Sequence, residues 1–198
     1  VQALQGRSSM LWAREDDVVR SINESHENSL FLPGIVLHSH LKASSDLAEV
    51  AQQDILLIVT PAQYLRTSLE ALKQHVRKDQ PVVICSKGIE IETGRLLSTI
   101  AQEVLGKTQP LAILTGPTFA AEIARGMPAA VTIAADTETL AKTLQKALGA
   151  RTFRPYVSTD MVGAQLGGAV KNVIAIAAGI ASGREMGDSA RAALITRG

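Results

Sequence analysis

Four short apolar runs constrain this chain more than any other feature: DILLIVTP at 54–61, PVVICSKG at 81–88, PLAILTGP at 110–117 and AAVTIAAD at 129–136. Each is apolar on both faces, too short for an ordinary helix, and bounded by Pro, Gly or Asp. Between them lie stretches of helical character at 62–76, 95–105 (stopped at Gly106), 118–125 and 138–148. Strands that are apolar on both faces need helices on both sides. Their alternation with helices predicts an α/β domain with an open, mostly parallel, Rossmann-like sheet.

The flanks are less regular. VQALQGRSSMLWARED reads as the tail of a helix, a turn at Gly6 and a strand over 10–13, so the chain is expected to lack the beginning of its domain. Pro33-Gly34 marks a turn, 35–37 a short strand, and 44–53 a helix capped by Ser44 or Ser45. RTFRPYVS at 151–158 is the last strand. After Ser158 only helical sequence follows. The expected division is an α/β domain over 1–158 and the start of an all-α domain over 159–198.

Composition narrows the function. The 198 residues are 46% hydrophobic, which supports a substantial core. With 20 basic residues against 19 acidic and 3% aromatics, there is no basic, aromatic-rich surface for nucleic acid. Cys85 is the only cysteine, so no internal disulfide forms, and no Cys/His spacing suggests a metal. A reducing, cytoplasmic setting follows as the expectation. Residues 161–183 are long enough to cross a bilayer, but Lys171 falls near their middle, at a cost of roughly 2.5–3.5 kcal/mol on insertion scales. Their Gly and Ala content reads instead as a buried helix of a soluble protein, with no membrane span.

Ligands of open α/β sheets bind beyond the carboxyl ends of the strands. Those ends carry Thr60-Pro61, Ser86-Lys87-Gly88 and Thr115-Gly116-Pro117-Thr118. Thr, Ser, Gly and Pro there serve equally as strand ends and caps. Lys87 has no such role directly after a buried strand. In GGAVKNVIAIAAG, 167–179, Lys171 is the only charge, and it lies over Gly167 and Gly168 on a face that also carries Ala164, Ala175 and Ala178. Glycines alone are explained by close packing, whereas an unpaired lysine in such a setting costs free energy unless it reaches water. Two converging lysines suit an anion, and an ammonium can hand a proton to a carbonyl oxygen as it becomes an alcohol.

Six segments, in this order and spacing, carry a family resemblance: NESHENSLFLPGI, DILLIVTPAQYLR, SKGIEIETGRLLS, LTGPTFAAEIARGMP, FRPYVSTDMVGAQLGGAVKNVIAIAAGI and MGDSARAALITRG. Together they resemble bacterial NAD(P)-dependent glycerol-3-phosphate dehydrogenases. The resemblance implies an N-terminal Rossmann-like domain followed by a helical one. It implies interconversion of dihydroxyacetone phosphate and sn-glycerol 3-phosphate with NAD(P)H, feeding glycerophospholipid synthesis. On the matching positions, Lys171 corresponds to the proton donor and acceptor. Lys87 corresponds to the lysine that touches both substrate and cofactor, Gly116 and Thr118 to substrate contacts, and Ala120 to a cofactor contact. Asn172 is taken as a substrate-site residue that orients one of these groups. Arg14 matches a position at the adenosine end of the cofactor. An arginine there suits a 2′-phosphate, which favours NADP over NAD.

The departures matter. Thr118 replaces a serine and keeps its hydroxyl, and Ser189 stands where the family usually has Asn. The family's G-x-G-x-x-G loop is expected before residue 1. An Asp and a Ser-Arg-Asn segment, with the phosphate-gripping arginine, are expected after residue 198. Neither Arg191 nor Arg197 is assigned that role. The rival readings are a related Rossmann dehydrogenase acting on another hydroxy acid, and a non-catalytic truncated remnant. His26, His38, His40 and His75 read as surface or loop residues. GDSARAALITRG reads as a helix capped by Asp188 or Ser189 with a structural or subunit-contact role, which allows a homodimer.

Overall fold

A computed structural model describes all residues, Val1–Gly198. Two sheets form. The smaller pairs β1 (Ser9–Trp12) with β2 (Leu41–Ser44) in parallel, joined by α1 (Asp16–Ser25). The larger has the order β3 (Leu56–Ile58), β4 (Val82–Ile84), β5 (Leu111–Thr115), β6 (Ala129–Ala135), β7 (Phe153–Ser158). All its neighbours are parallel except β5 and β6, which pair antiparallel with Thr115 opposite Thr132. The mostly parallel α/β expectation holds. The reversed β6 was not anticipated, because an apolar run does not encode strand direction.

The doubly apolar strands bury both faces, as their composition requires. One face packs Ile58, Ile84, Leu111 and Ile113 against α3 (Leu65–Leu72) and α4 (Leu97–Leu105). The other packs Val83, Ala112 and Ile133 against α6 (Glu138–Leu148). Thr137 caps α6 by accepting from the Leu140 N–H at 3.2 Å, and the helix spans the residues its period indicates.

Three expectations at the flanks are corrected. Residues 35–37 form no strand, whereas Leu41–Ser44, assigned in part to a helix, does. Pairing with β1 outweighs the weak strand propensity of Leu-Lys-Ala-Ser. The helix that follows is the single turn α2 (Leu47–Val50), capped by Asp46, whose Oδ1 accepts from the Ala48 N–H at 2.8 Å. Neither Ser44 nor Ser45 is that cap. A short α5 (Ala120–Ala124) bridges β5 and β6.

Two helices close the chain, α7 (Met161–Gly183) and α8 (Asp188–Arg197). Gly187, not Asp188 or Ser189, precedes α8 as its N-cap residue, with φ 84°. The helix expected at 161–183 forms, and within residues 1–198 little of it is covered. By length and composition α7 could cross a membrane, and most of its surface is exposed. It meets the sheet only through its first turns, and over the rest α8 is its main neighbour. Val173, Ile176 and Ile180 therefore stay open to solvent.

Candidate active site

The first turns of α7 fix where Lys171 goes. Asp160 caps the helix, its Oδ1 accepting from the Gly163 N–H at 2.7 Å. Gln165, which is buried, then ties α7 to α4. Its Oε1 accepts from the Ser98 N–H at 2.9 Å, and its Nε2 donates to Ser98 Oγ at 2.9 Å. With Gln165 turned into the protein, the glycines and Lys171 face the carboxyl ends of β4 and β5. Gly168 makes the approach possible. A Cβ there would stand 2.9 Å from Thr115 Oγ1 and 3.6 Å from Lys87 Cγ.

A cleft of about 490 Å³ lies between these elements. Lys87 and Thr115–Phe119 line it from the sheet edge, Thr132 from β6, and Gly163, Ala164, Gly167, Gly168 and Lys171 from α7. Both lysines thus reach one cavity, where they meet three threonine hydroxyls and no carboxylate. Such a lining attracts an anion and offers donors to oxygen atoms, as a phosphorylated carbonyl compound requires.

The two cations differ. Lys87 is half-buried on the loop after β4, with its amine free of ion pairs. Its charge partly offsets the effect of burial on the neighbouring Cys85 thiol, which desolvation pushes up to about 12. Cys85 is therefore a protonated packing residue at neutral pH. Lys171 is exposed, and its Nζ donates to Asn172 Oδ1 at 3.0 Å. That contact gives Asn172 a place at the lysine without putting it on the cleft wall.

The other sequence-derived residues divide. Gly116 and Thr118 are on the wall. Gly116 also has a packing reason to lack a side chain, since a Cβ would come within 2.9 Å of Ala130 O and Val131 Cα. Ala120 opens α5 just past the wall residue Phe119 and is exposed. Arg14 follows β1, is exposed, and lies 3.8 Å from Glu15, outside the cleft. Ala175 and Ala178 continue the α7 strip beyond the cleft. The four histidines are part-buried or exposed in loops and connections, and none lines the cleft.

Thr132 and Gln165 were missed. Thr132 becomes a wall residue only because β6 runs antiparallel to β5, and Gln165 reads in the sequence as an ordinary polar helix position. Thr60 adds a further polar group at the carboxyl end of β3, a buried hydroxyl oxygen without a partner. Together with Lys87 and the open edge of β3–β5, that hydroxyl fits a dinucleotide laid across the strand ends.

A family model described as the NAD-dependent glycerol-3-phosphate dehydrogenase N-terminus matches residues 1–141, and its C-terminus counterpart matches 160–198. A protein of Parvibaculum lavamentivorans named glycerol-3-phosphate dehydrogenase [NAD(P)+] is 56% identical over all of this chain, which spans 59% of that relative's length. A relative of the same name from Paramagnetospirillum magneticum is 56% identical, matched over 98% of this chain and 70% of its own length. A solved glycerol-3-phosphate dehydrogenase from Coxiella burnetii superposes with a TM-score of 0.87 at 34% identity, covering 99% of this chain and 60% of that one. This chain belongs to the NAD-dependent glycerol-3-phosphate dehydrogenase family.

Proposed function

We propose that the protein interconverts dihydroxyacetone phosphate and sn-glycerol 3-phosphate, and that its cleft is the reaction site. The observation that carries this reading is the meeting of Lys87 and Lys171 in one carboxylate-free cavity at the carboxyl edge of the sheet. A dinucleotide, NADP or NAD, supplies or takes up the hydride at the C2 carbon when bound. Lys171 donates the proton from Nζ to the carbonyl oxygen during reduction and regains one from solvent. In the reverse direction its neutral amine accepts the proton of the C2 hydroxyl. Lys87 binds the anionic substrate and polarises its carbonyl, while Gly116 leaves room beside Thr118, whose hydroxyl hydrogen-bonds the substrate. Asn172 orients the Lys171 amine.

Along the same edge, Lys87 and Ala120 would hold the dinucleotide, with Arg14 at its adenosine end. An arginine is suited to a 2′-phosphate, so NADP is preferred. The division into a nucleotide-binding unit over 1–158 and a helical unit from 159 belongs to the same proposal. So does a cytoplasmic role in supplying the glycerol phosphate backbone of glycerophospholipids, to which the lone, part-buried thiol is suited. A homodimer is a further element of the proposal, supported by the exposed apolar residues of α7 and α8.

Oxidation of NADPH followed by its absorbance tests the reading, with dihydroxyacetone phosphate and ketopantoate offered side by side. The expected result is turnover of the phosphorylated ketone alone. Turnover of ketopantoate instead would assign the cleft to a related hydroxy-acid dehydrogenase.

A further inference from the structure

Lys87 sits in the long connection between Ile84, the last residue of β4, and Leu97, the first of α4. No extended ladder holds that loop, only an isolated bridge between Ile89 and Leu96, and apolar packing does little for it: Ile91 is 83% exposed. It is held instead by polar stitches to the segment that opens α3. Gln63 Nε2 donates to Ile89 O at 2.9 Å, and the Ile91 N–H donates to Gln63 Oε1 at 2.9 Å. One side-chain amide thus stands in for a strand edge, satisfying a carbonyl and an N–H on either side of Glu90. Glu90 turns inward and is buried, and Arg66 grips it through Nε at 2.9 Å and Nη2 at 3.0 Å. Thr93 Oγ1 donates to the same carboxylate.

Next to Lys87 the loop is pressed flat against Ala62. A Cβ on Gly88 would lie 2.9 Å from Ala62 Cβ, and Gly88 has φ 141°, which other residues rarely adopt. On the other side Ser86 Oγ donates to Thr60 O. The side-chain contacts that tie the loop around Lys87 to the fold therefore come largely from residues 60–66, beside the Cys85 N–H bond to Ile58 O and the loop's own Glu90 N–H bond to Arg95 O. None of Gln63, Arg66 or Glu90 lines the cleft.

We propose that Gln63, backed by the Arg66–Glu90 pair, is a positioning residue that aims Lys87 into the cleft. The proposal rests on the function assigned to the cleft, and it adds residues that never touch the ligand. Gln63 is exposed, so its loss leaves the fold nearly intact. What it loses is the direction of one lysine.

The test compares Gln63→Leu with the unaltered protein in two ways. In the first, lysines are acylated sparingly with N-hydroxysuccinimidyl acetate and each site is quantified by peptide mass spectrometry. Lys87 is expected to react about threefold faster in the variant, through local opening, while Lys171 and Lys142 keep their rates. Should Gln63→Leu fail to fold, Gln63→Glu serves in its place. It keeps the acceptor for Ile91 and loses the donor to Ile89, and Lys87 should react at an intermediate rate. An unchanged Lys87 rate, or an equal rise at all three lysines, overturns the proposal.

In the second, the KM for dihydroxyacetone phosphate should rise about tenfold, more than kcat falls. In a Lys87→Ala background the same substitution should change nothing further. Additive losses would show that Gln63 does not act through Lys87, and overturn the proposal. If the unaltered protein turns over no dihydroxyacetone phosphate, the functional assignment fails while the acylation rates still decide whether Gln63 positions Lys87.

Discussion

The two halves of the cleft are built from equally apolar sequence, with opposite outcomes. On the sheet side, Val82, Val83 and Ile84 are fully buried between two helical layers. On the α7 side, Val173, Ile176 and Ile180 are 64%, 65% and 61% exposed. The difference shows what fixes each lysine. Lys87 inherits its place from a close-packed core and a stitched loop. Lys171 depends on the first turns of one helix, held by Asp160, Gln165 and the bare backbone at Gly168.

The contrast can be broken by mutation. Ile84→Ala leaves a cavity in the core and should cost about 2–5 kcal/mol in urea unfolding. With the protein dilute enough to be monomeric, Ile176→Ala should fall within about 0.5 kcal/mol, as an exposed position does. A cost above about 2 kcal/mol for Ile176→Ala that appears only at higher protein concentration would mean that a second copy covers this face.

Gly168 tests the seam between the halves. Gly168→Val forces a branched side chain onto Thr115 and the stem of Lys87. It should cost about 1–3 kcal/mol and weaken binding of the phosphorylated ketone. Gly167, one residue away, has nothing within 4 Å of its would-be Cβ. Gly167→Ala should therefore stabilise the helix by up to about 1 kcal/mol. Reversal of the two outcomes, read by thermal melting, would place the wrong face of α7 against the sheet.

The stitched loop has its own pH signature. Hydrogen bonds from Arg66 and then Thr93, against an opposing cost of burial, hold the Glu90 carboxyl down to about 2 from an ordinary 4.5. A depressed carboxyl adds stability in full above its unfolded value, and that stability is lost as pH falls from about 4.5 through about 2. Glu90→Gln should lower the melting temperature at neutral pH and flatten its decline across that acid window. An unchanged profile would remove Glu90 from the loop's support. The smallest expected effect is at Cys85, whose protonated thiol should resist iodoacetamide at pH 7.5 in the folded protein. Rapid alkylation would contradict its packing.

How much was legible follows from the same contrast. The buried strands and α6 could be read because their pattern is local: doubly apolar runs for the strands, and an amphipathic period for the helix. β2 could not, because Leu41–Ser44 becomes a strand only by pairing with β1. The apolar sequence of α7 states a need for cover, and within residues 1–198 little supplies it. Within the site, Lys87 and Lys171 stood out as charges that packing does not explain. Thr132 and Gln165 did not, because their roles depend on the direction of β6 and on the contact with α4.

The central claim is that Lys171 supplies the proton in a cleft it shares with Lys87. The direct measurement is the rate of dihydroxyacetone phosphate reduction by the protein and by Lys171→Ala, at saturating NADPH. The account predicts a loss in kcat of about a hundredfold or more, with the fold unchanged by circular dichroism. A loss smaller than about tenfold would contradict it, because proton transfer by a positioned group is worth more than that.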